Sequence, residues 1–347
     1  MMGNYLNPDT SIFQQVVNSD IYVDKTGLIK YTNSVLFTMQ EYICVSRPRR
    51  FGKSMAANML AAYYNCESDS RDLFAQFEIA KSNDFEKHLN QYDTILLNMQ
   101  EFLSQSNNME EMLSLIKKSV LWDLLDKYPD YRYFDDTNLT RTMQDIYSKT
   151  RKAFVVIIDE WDCIFREDKI DRKGQERYLD FLRDLLKDKG YIHLAYMTGI
   201  LPIKKYGTHS ALNMFDEFSM IDPGPLAPYV GFTEEEVSVL CDEYNMSMEE
   251  VKSWYNGYSF ERASAIYSPR SVVSCMRFGK IGNYWNQTET FEALQMYIDM
   301  NFEGLRDDVL SMIAGESVPV NTGSFTNDMA TFHTEDDVLT LLIHLGY

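Results

Sequence analysis

The sequence predicts an α/β chain, a parallel sheet with crossover helices followed by a second, mostly helical region. Three observations carry this expectation. Four short runs, "YICVS" (42–46), "TILLNM" (94–99), "AFVVIID" (153–159) and "YIHLAYMTG" (191–199), are apolar on both faces and separated by helical stretches, as buried parallel strands are. That rhythm stops at "MIDPGPLAP" (220–228), where three prolines and a glycine interrupt it. The first run also leads through a short basic segment into an uninterrupted helix-forming stretch.

Taken in order, "YICVS" is a strand, and "MAANMLAAYYN" continues a helix that begins near Lys53. Helical patterns near 108–125 and 139–151 connect the second run to the third, and a charged helix around 174–188 precedes the fourth. This gives one domain over 1–222 and a second region over 223–347. In the second region, Thr233 and Glu236 of "GFTEEEV" form a capping box, and Ser268-Pro269 pairs a cap with a first-turn proline. "FEALQMYIDM" (291–300), "LRDDVLSMIAG" (305–315) and "TEDDVLTLLIHLG" (334–346) continue the helical reading towards a lid or winged-helix-like region.

Composition narrows the function classes. With 347 residues and 45% hydrophobic content the chain can fill two cores. A formal net charge of −19 disfavours coating nucleic acid or an anionic membrane, so any polyanion site must be local. Five scattered cysteines without a C-x-x-C pair indicate neither a disulfide framework nor structural zinc. No signal-peptide-like or membrane-spanning run appears, so a cytoplasmic setting without membrane partners is expected.

The segment Arg47-Pro48-Arg49-Arg50-Phe51-Gly52-Lys53-Ser54-Met55 carries the chemistry. A phosphate-binding loop needs backbone N–H groups around a triphosphate, a lysine that bridges its oxygens and a hydroxyl on Mg²⁺, all at a helix N-terminus. Gly52, Lys53 and Ser54 supply these groups between a strand and a helix, but Arg47 stands where the loop usually opens with glycine. By itself the segment fits a solvated basic turn equally well. The third run shifts the balance: it ends in Asp159-Glu160, the form of a Walker B strand, in which one carboxylate holds Mg²⁺ and the next orients the attacking water. A P-loop NTPase core follows, with ATP and Mg²⁺ as ligands. The adjacent acids specify the class with a catalytic glutamate and an additional strand between the P-loop and Walker B strands. Thr198, closing the fourth run, has the residue type of that strand's γ-phosphate sensor, although a Thr-Gly turn explains it as readily. Four cations between Arg47 and Lys53 offset Asp159, Glu160 and Asp162, and any one arginine can hold phosphate or pack against acids.

"YVDKTGLI" (22–29), "RPRRFGKSM" (47–55), "VVIIDEWD" (155–162), "MTGILPIKK" (197–205), "GFTEEEV" (231–237), "WYNGYSF" (254–260), "YSPRSVV" (267–273), "NYW" (283–285) and "LLIHLGY" (341–347) occur in the order found in the bacterial AAA-ATPase-like family, which the chain resembles over nearly its whole length. The resemblance implies that arginine at 47 is that family's form of the loop. It carries phosphate binding onto Lys53 and Ser54, the metal acid onto Asp159, the catalytic acid onto Glu160 and the sensor onto Thr198. Trp161 replaces a usual tyrosine, and Ser268 a common asparagine. Family members usually continue into a restriction-endonuclease-like nuclease domain, which is not expected in a sequence that stops at Tyr347; nucleic acid is thus at most an indirect partner.

The expected function is Mg²⁺-dependent ATP binding with slow hydrolysis that sets the arrangement of the helical region, with self-association as a possible source of an arginine in trans. The alternatives are a nucleotide-gated switch or scaffold with negligible turnover, and a P-loop kinase, against which the adjacent acids argue. "WYNGYSF" reads as packing around Gly257 rather than as a base-stacking platform, and His193 as a core residue. Residues 21–29 are candidates for the adenine wall.

Overall fold

The computed structural model describes residues 3–167, 170–203, 212–255, 257–260, 263–284, 302–325, 332 and 334–347. The expected helix at 291–300 and Trp285 lie outside them. The chain divides into two compact units: Met1–Val45, Lys53–Gly199 and Ala211–Glu217 form the first, and Ser46–Gly52, Ile200–Ser210 and Phe218–Tyr347 the second.

The first unit is built on a five-stranded sheet of β1 (Tyr42–Ser46), β2 (Asp93–Asn98), β3 (Phe154–Asp159), β4 (Ile192–Gly199) and β5 (Asp216–Phe218), in the order β2-β3-β4-β1-β5. All four strands read from the sequence are present, and β4 lies between β1 and β3. The additional strand is therefore where the Asp159-Glu160 pair placed it. β2, β3 and β4 run parallel, with Asn98 opposite Asp159 and Ile158 opposite Met197. Every residue of β1 and β3 is buried, because helices cover both faces and neither side needs polar alternation.

Two N-terminal helices, α1 (Ser11–Val17) and α2 (Gly27–Val35), precede β1, and α3 (Lys53–Tyr64) follows it. The middle of α3 is Ala-, Met- and Leu-rich and packs on β2, β3 and β4; its small side chains permit close approach to the sheet. After β2 come α4 (Met99–Ser104), α5 (Met109–Lys127) and α6 (Leu139–Thr150). Each starts at an asparagine, Asn98, Asn108 or Asn138, whose side chain accepts from a first-turn N–H. Between β3 and β4, α7 (Arg172–Leu186) is capped by Asp171, which accepts from the Gly174 N–H at 2.8 Å, and buries Tyr178, Leu179, Leu182, Leu185 and Leu186.

The second unit contains α8 (Glu234–Tyr244), α9 (Met248–Tyr255), α10 (Pro269–Phe278), α11 (Leu305–Ile313) and α12 (Glu335–Leu345). Both bonds of the expected Thr233–Glu236 capping box form, and Thr334 with Asp337 forms a second. Ser268 occupies its cap position without a side-chain cap bond. Beside the helices of this mostly helical region, three short strands, β6 (Phe232–Thr233), β7 (Tyr258–Phe260) and β8 (Ala263–Tyr267), pair in the order β6-β8-β7. The β6–β8 and β7–β8 pairings are antiparallel. Gly257 is fixed by space, since a Cβ there would meet the Ile266 N at 2.9 Å. Of the aromatic stretch around it, Tyr255 is buried and donates to the Gly282 carbonyl at 2.8 Å, whereas Trp254 is half exposed.

Candidate functional site

Of the sequence-predicted residues of the first unit, Asp159 and Thr198 lie together at the C-terminal ends of β3 and β4, with Glu160 directly after β3. Asp159 ends β3 and is buried, and it accepts a hydrogen bond from the Thr198 hydroxyl near the end of β4. Lys53 is the first residue of α3, so its side chain sits at the end of the helix dipole that favours anions. It is buried, and burial pushes its ammonium below the ordinary lysine range. Glu160, Asp162 and Asp159 pull it back up, and Arg166 lowers it. Those influences place Lys53 in the field of the acid turn after β3. Ser54 and Met55, next on α3, are exposed.

The turn after β3 is over-determined. Glu160 sits in the left-handed region at φ 54°, which costs a non-glycine residue about 1–2 kcal/mol. The Trp161 N–H donates to the Thr198 carbonyl at 3.0 Å, and the Cys163 N–H to the Glu160 carbonyl at 3.1 Å. Trp161 is completely buried and meets Phe165 edge-on at 5.6 Å, and Tyr178 donates to its carbonyl at 2.8 Å. The indole thus packs on Phe165, whose own ring meets Tyr178 of α7 at 6.3 Å, while the Tyr178 hydroxyl holds the turn's backbone.

One participant carries no motif. Arg166, at the end of the one-turn helix Cys163–Arg166, pairs with the Glu160 carboxylate and with both Asp162 oxygens, its Nε 3.2 Å from Oδ2 and its Nη2 3.5 Å from Oδ1. Burial lowers the pKa of its guanidinium, but Asp162 and Glu160 outweigh that and leave it raised. The only sequence signal for it is the i,i+4 spacing from Asp162.

In the second unit the loop 46–52 is itself tightly held. The Ser46 hydroxyl donates to the Leu201 carbonyl at 3.0 Å. Arg47 is completely buried, and its Nη1 donates to the carbonyls of Ser46, Phe218 and Ser219 at 2.8, 2.9 and 3.0 Å. That nitrogen is therefore committed to the backbone, and arginine replaces glycine because it ties this segment to 218–219. Pro48 is buried, while Arg49 and Arg50 are exposed. Phe51 is buried beside Tyr258, with ring centroids 5.7 Å apart. Gly52 has φ 89° and nothing within 4 Å of an added Cβ, so conformation and not space selects glycine here. Pro48 also receives Gly346, where a Cβ would come within 2.9 Å of the proline ring, and Tyr258 donates to the Gly346 carbonyl at 2.5 Å.

Among the described residues no group of three or more His, Cys, Asp or Glu side chains could hold a metal ion, and no helix is long and apolar enough to cross a membrane. Asp159 and Ser54 carry a carboxylate and a hydroxyl, oxygen donors of the kind Mg²⁺ takes beside waters and substrate phosphates; Asp159 is buried and Ser54 exposed. Residues 21–29 are built into local structure: Asp24 accepts from the N–H groups of Thr26 and Glu78, each at 2.8 Å, and Tyr22 packs with Phe13 and Phe77.

A family model described as "Predicted AAA-ATPase" matches residues 10–208, more than half of the chain. An uncharacterized protein in the vnfD 5′ region of Azotobacter chroococcum mcd 1 is 22% identical over 280 residues, covering 78% of this chain and 51% of the relative. The chain thus spans about half the length of that curated relative. Among solved structures, the Walker-type ATPase of Pyrococcus abyssi is similar at 14% identity and TM-score 0.38, over 82% of this chain and 74% of that one. Cdc6p of Pyrobaculum aerophilum is similar at 9% and 0.36, over 80% and 68%. At those scores the assignment rests on strand order and the family match: the chain belongs to the predicted AAA-ATPase family.

Proposed function

We propose that the chain binds ATP with Mg²⁺ and hydrolyses it slowly, and that nucleotide state alters the conformation of the region 223–347, the part following the ATPase core of 1–222. The observation that carries this reading is the union of Asp159, Thr198, Glu160 and buried Lys53 at the ends of adjacent parallel strands and a helix N-terminus. Those are the positions from which a triphosphate tail and its attacking water can be addressed together.

In this reading the backbone of 48–52 and the Lys53 ammonium hold the β- and γ-phosphate oxygens. Asp159 and Ser54 would hold the metal, which would supply charge neutralisation on those oxygens when bound. Glu160 orients a water and takes its proton as the water oxygen bonds to the γ-phosphorus and the bond to ADP breaks. Thr198, bonded to Asp159, reports the γ-phosphate. An arginine from a second copy of the chain and control of a nuclease module are extensions of the same reading.

Steady-state phosphate release from wild type and Glu160→Gln tests it. We expect release to fall at least about 100-fold in the variant, in the range of losses from removing a positioned acid–base group. Equal release would leave a nucleotide-gated switch without turnover, and transfer of labelled phosphate to an acceptor would mark a kinase.

A further inference from the structure

Glu160 stands on a rigid turn, but its side chain projects from a backbone in the left-handed region and remains partly exposed, at 22% of its side-chain surface. Nothing in the turn's backbone bonds selects the direction of its carboxylate. Among the described residues its carboxylate is engaged by Arg166. Its side chain is 12% exposed and stands on the fully buried carboxylate of Asp162, approached by Nε at 3.2 Å and Nη2 at 3.5 Å, and Nη2 also engages Glu160. Glu160 and Asp162 act on both Lys53 and Arg166, drawing the pKa of each cation up against the lowering effect of burial.

We infer that Arg166 is a positioning residue for hydrolysis: anchored on Asp162, its planar fork fixes the Glu160 carboxylate in the orientation from which it addresses water. The inference rests on reading Glu160 as the water-orienting acid. A guanidinium suits this task because one rigid fork spans two carboxylates, whereas an ammonium is a single point of charge. Asp162 needs a cation for another reason. An acid buried this completely is strongly destabilising when its partner is removed, so the pair forms a permanent base from which the second contact can act. No role in gripping the nucleotide follows, because Arg166 acts through Glu160.

The test is a kcat-against-affinity split in the full chain. Arg166→Lys keeps a cation for Asp162 but cannot span both acids, and Arg166→Gln removes the charge. We expect kcat to fall about 10-fold in Arg166→Lys and about 100-fold in Arg166→Gln, as small misplacements of a catalytic group do. The Kd for a non-hydrolysable ATP analogue with Mg²⁺ should stay within about twofold of wild type. Should Arg166→Gln fail to fold, Arg166→Lys alone decides.

A kcat equal to or above wild type in Arg166→Lys would overturn the inference, as would a loss matched by an equal loss of affinity. Glu160→Gln, assayed alongside, separates the two failures. If it is impaired while Arg166→Lys is fully active, only the positioning role falls; if it turns over like wild type, the reading of Glu160 falls with it.

Discussion

Gly199 shows how closely the residues of the acid turn are fitted. A Cβ there would lie 2.6 Å from the Trp161 Nε1 and 2.8 Å from an Asp162 oxygen, and neither can retreat because both side chains are completely buried. Gly199→Ala is expected to cost about 1–3 kcal/mol, the range for overpacking, and to lower ATP turnover with it, measured by thermal unfolding and phosphate release. Unchanged values for both would mean the turn is softer than its bonds imply. At this scale the sequence was informative where a residue type is tied to a backbone position. Gly52, Lys53 and Ser54 could be read from their order, and Asp159 and Glu160 from the strand before them. Arg47 and Arg166 could not be distinguished in kind: both are arginines beside the expected site, yet one binds carbonyls and the other carboxylates. Partners separated by 171 residues leave no local pattern.

Among the elements, β1 to β4 were legible because strands covered on both faces give continuous apolar runs. β5, β6 and β7 were not, since two or three residues show neither a continuous apolar run nor a sustained alternation, and β8, "ASAIY", has too few large apolar residues to read as a buried run. The final helix, α12, was legible from its cap but not from what it buries. His344, near its end, is 1% exposed, and its Nδ1 has no hydrogen-bond partner among the described residues. Burial pushes its pKa down from 6.5 to about 4. Between those values the unfolded chain takes up a proton that the folded chain refuses, so this contribution to stability is intact above about pH 6.5 and is lost as pH falls towards 4. The full difference is on the order of 3 kcal/mol. Because carboxylates titrate over the same range, the measurement is the difference in unfolding free energy between wild type and His344→Leu at pH 7 and pH 4.5. Wild type should lose ground against the variant at the lower pH; a constant difference would mean that His344 is solvated in the folded chain.

For the molecule as a whole, the net charge of −19 sets the electrostatic problem. A polyanionic nucleotide is repelled by the mean field and must be held by cations placed where it binds. In the proposed reading the cations at hand are Arg49 and Arg50, both exposed, and the buried Lys53, whereas Arg47 is buried and donates to backbone carbonyls. Nucleotide binding in the proposed function therefore depends most directly on Lys53, and calorimetric titration with ATP tests this. Wild type should bind one ATP with Mg²⁺ and bind it more weakly without. Lys53→Ala, with its fold checked by circular dichroism, should bind about 100-fold more weakly, a difference of about 3 kcal/mol. Wild type that takes up no ATP, or a Lys53→Ala variant that binds it as tightly as wild type, would contradict the account.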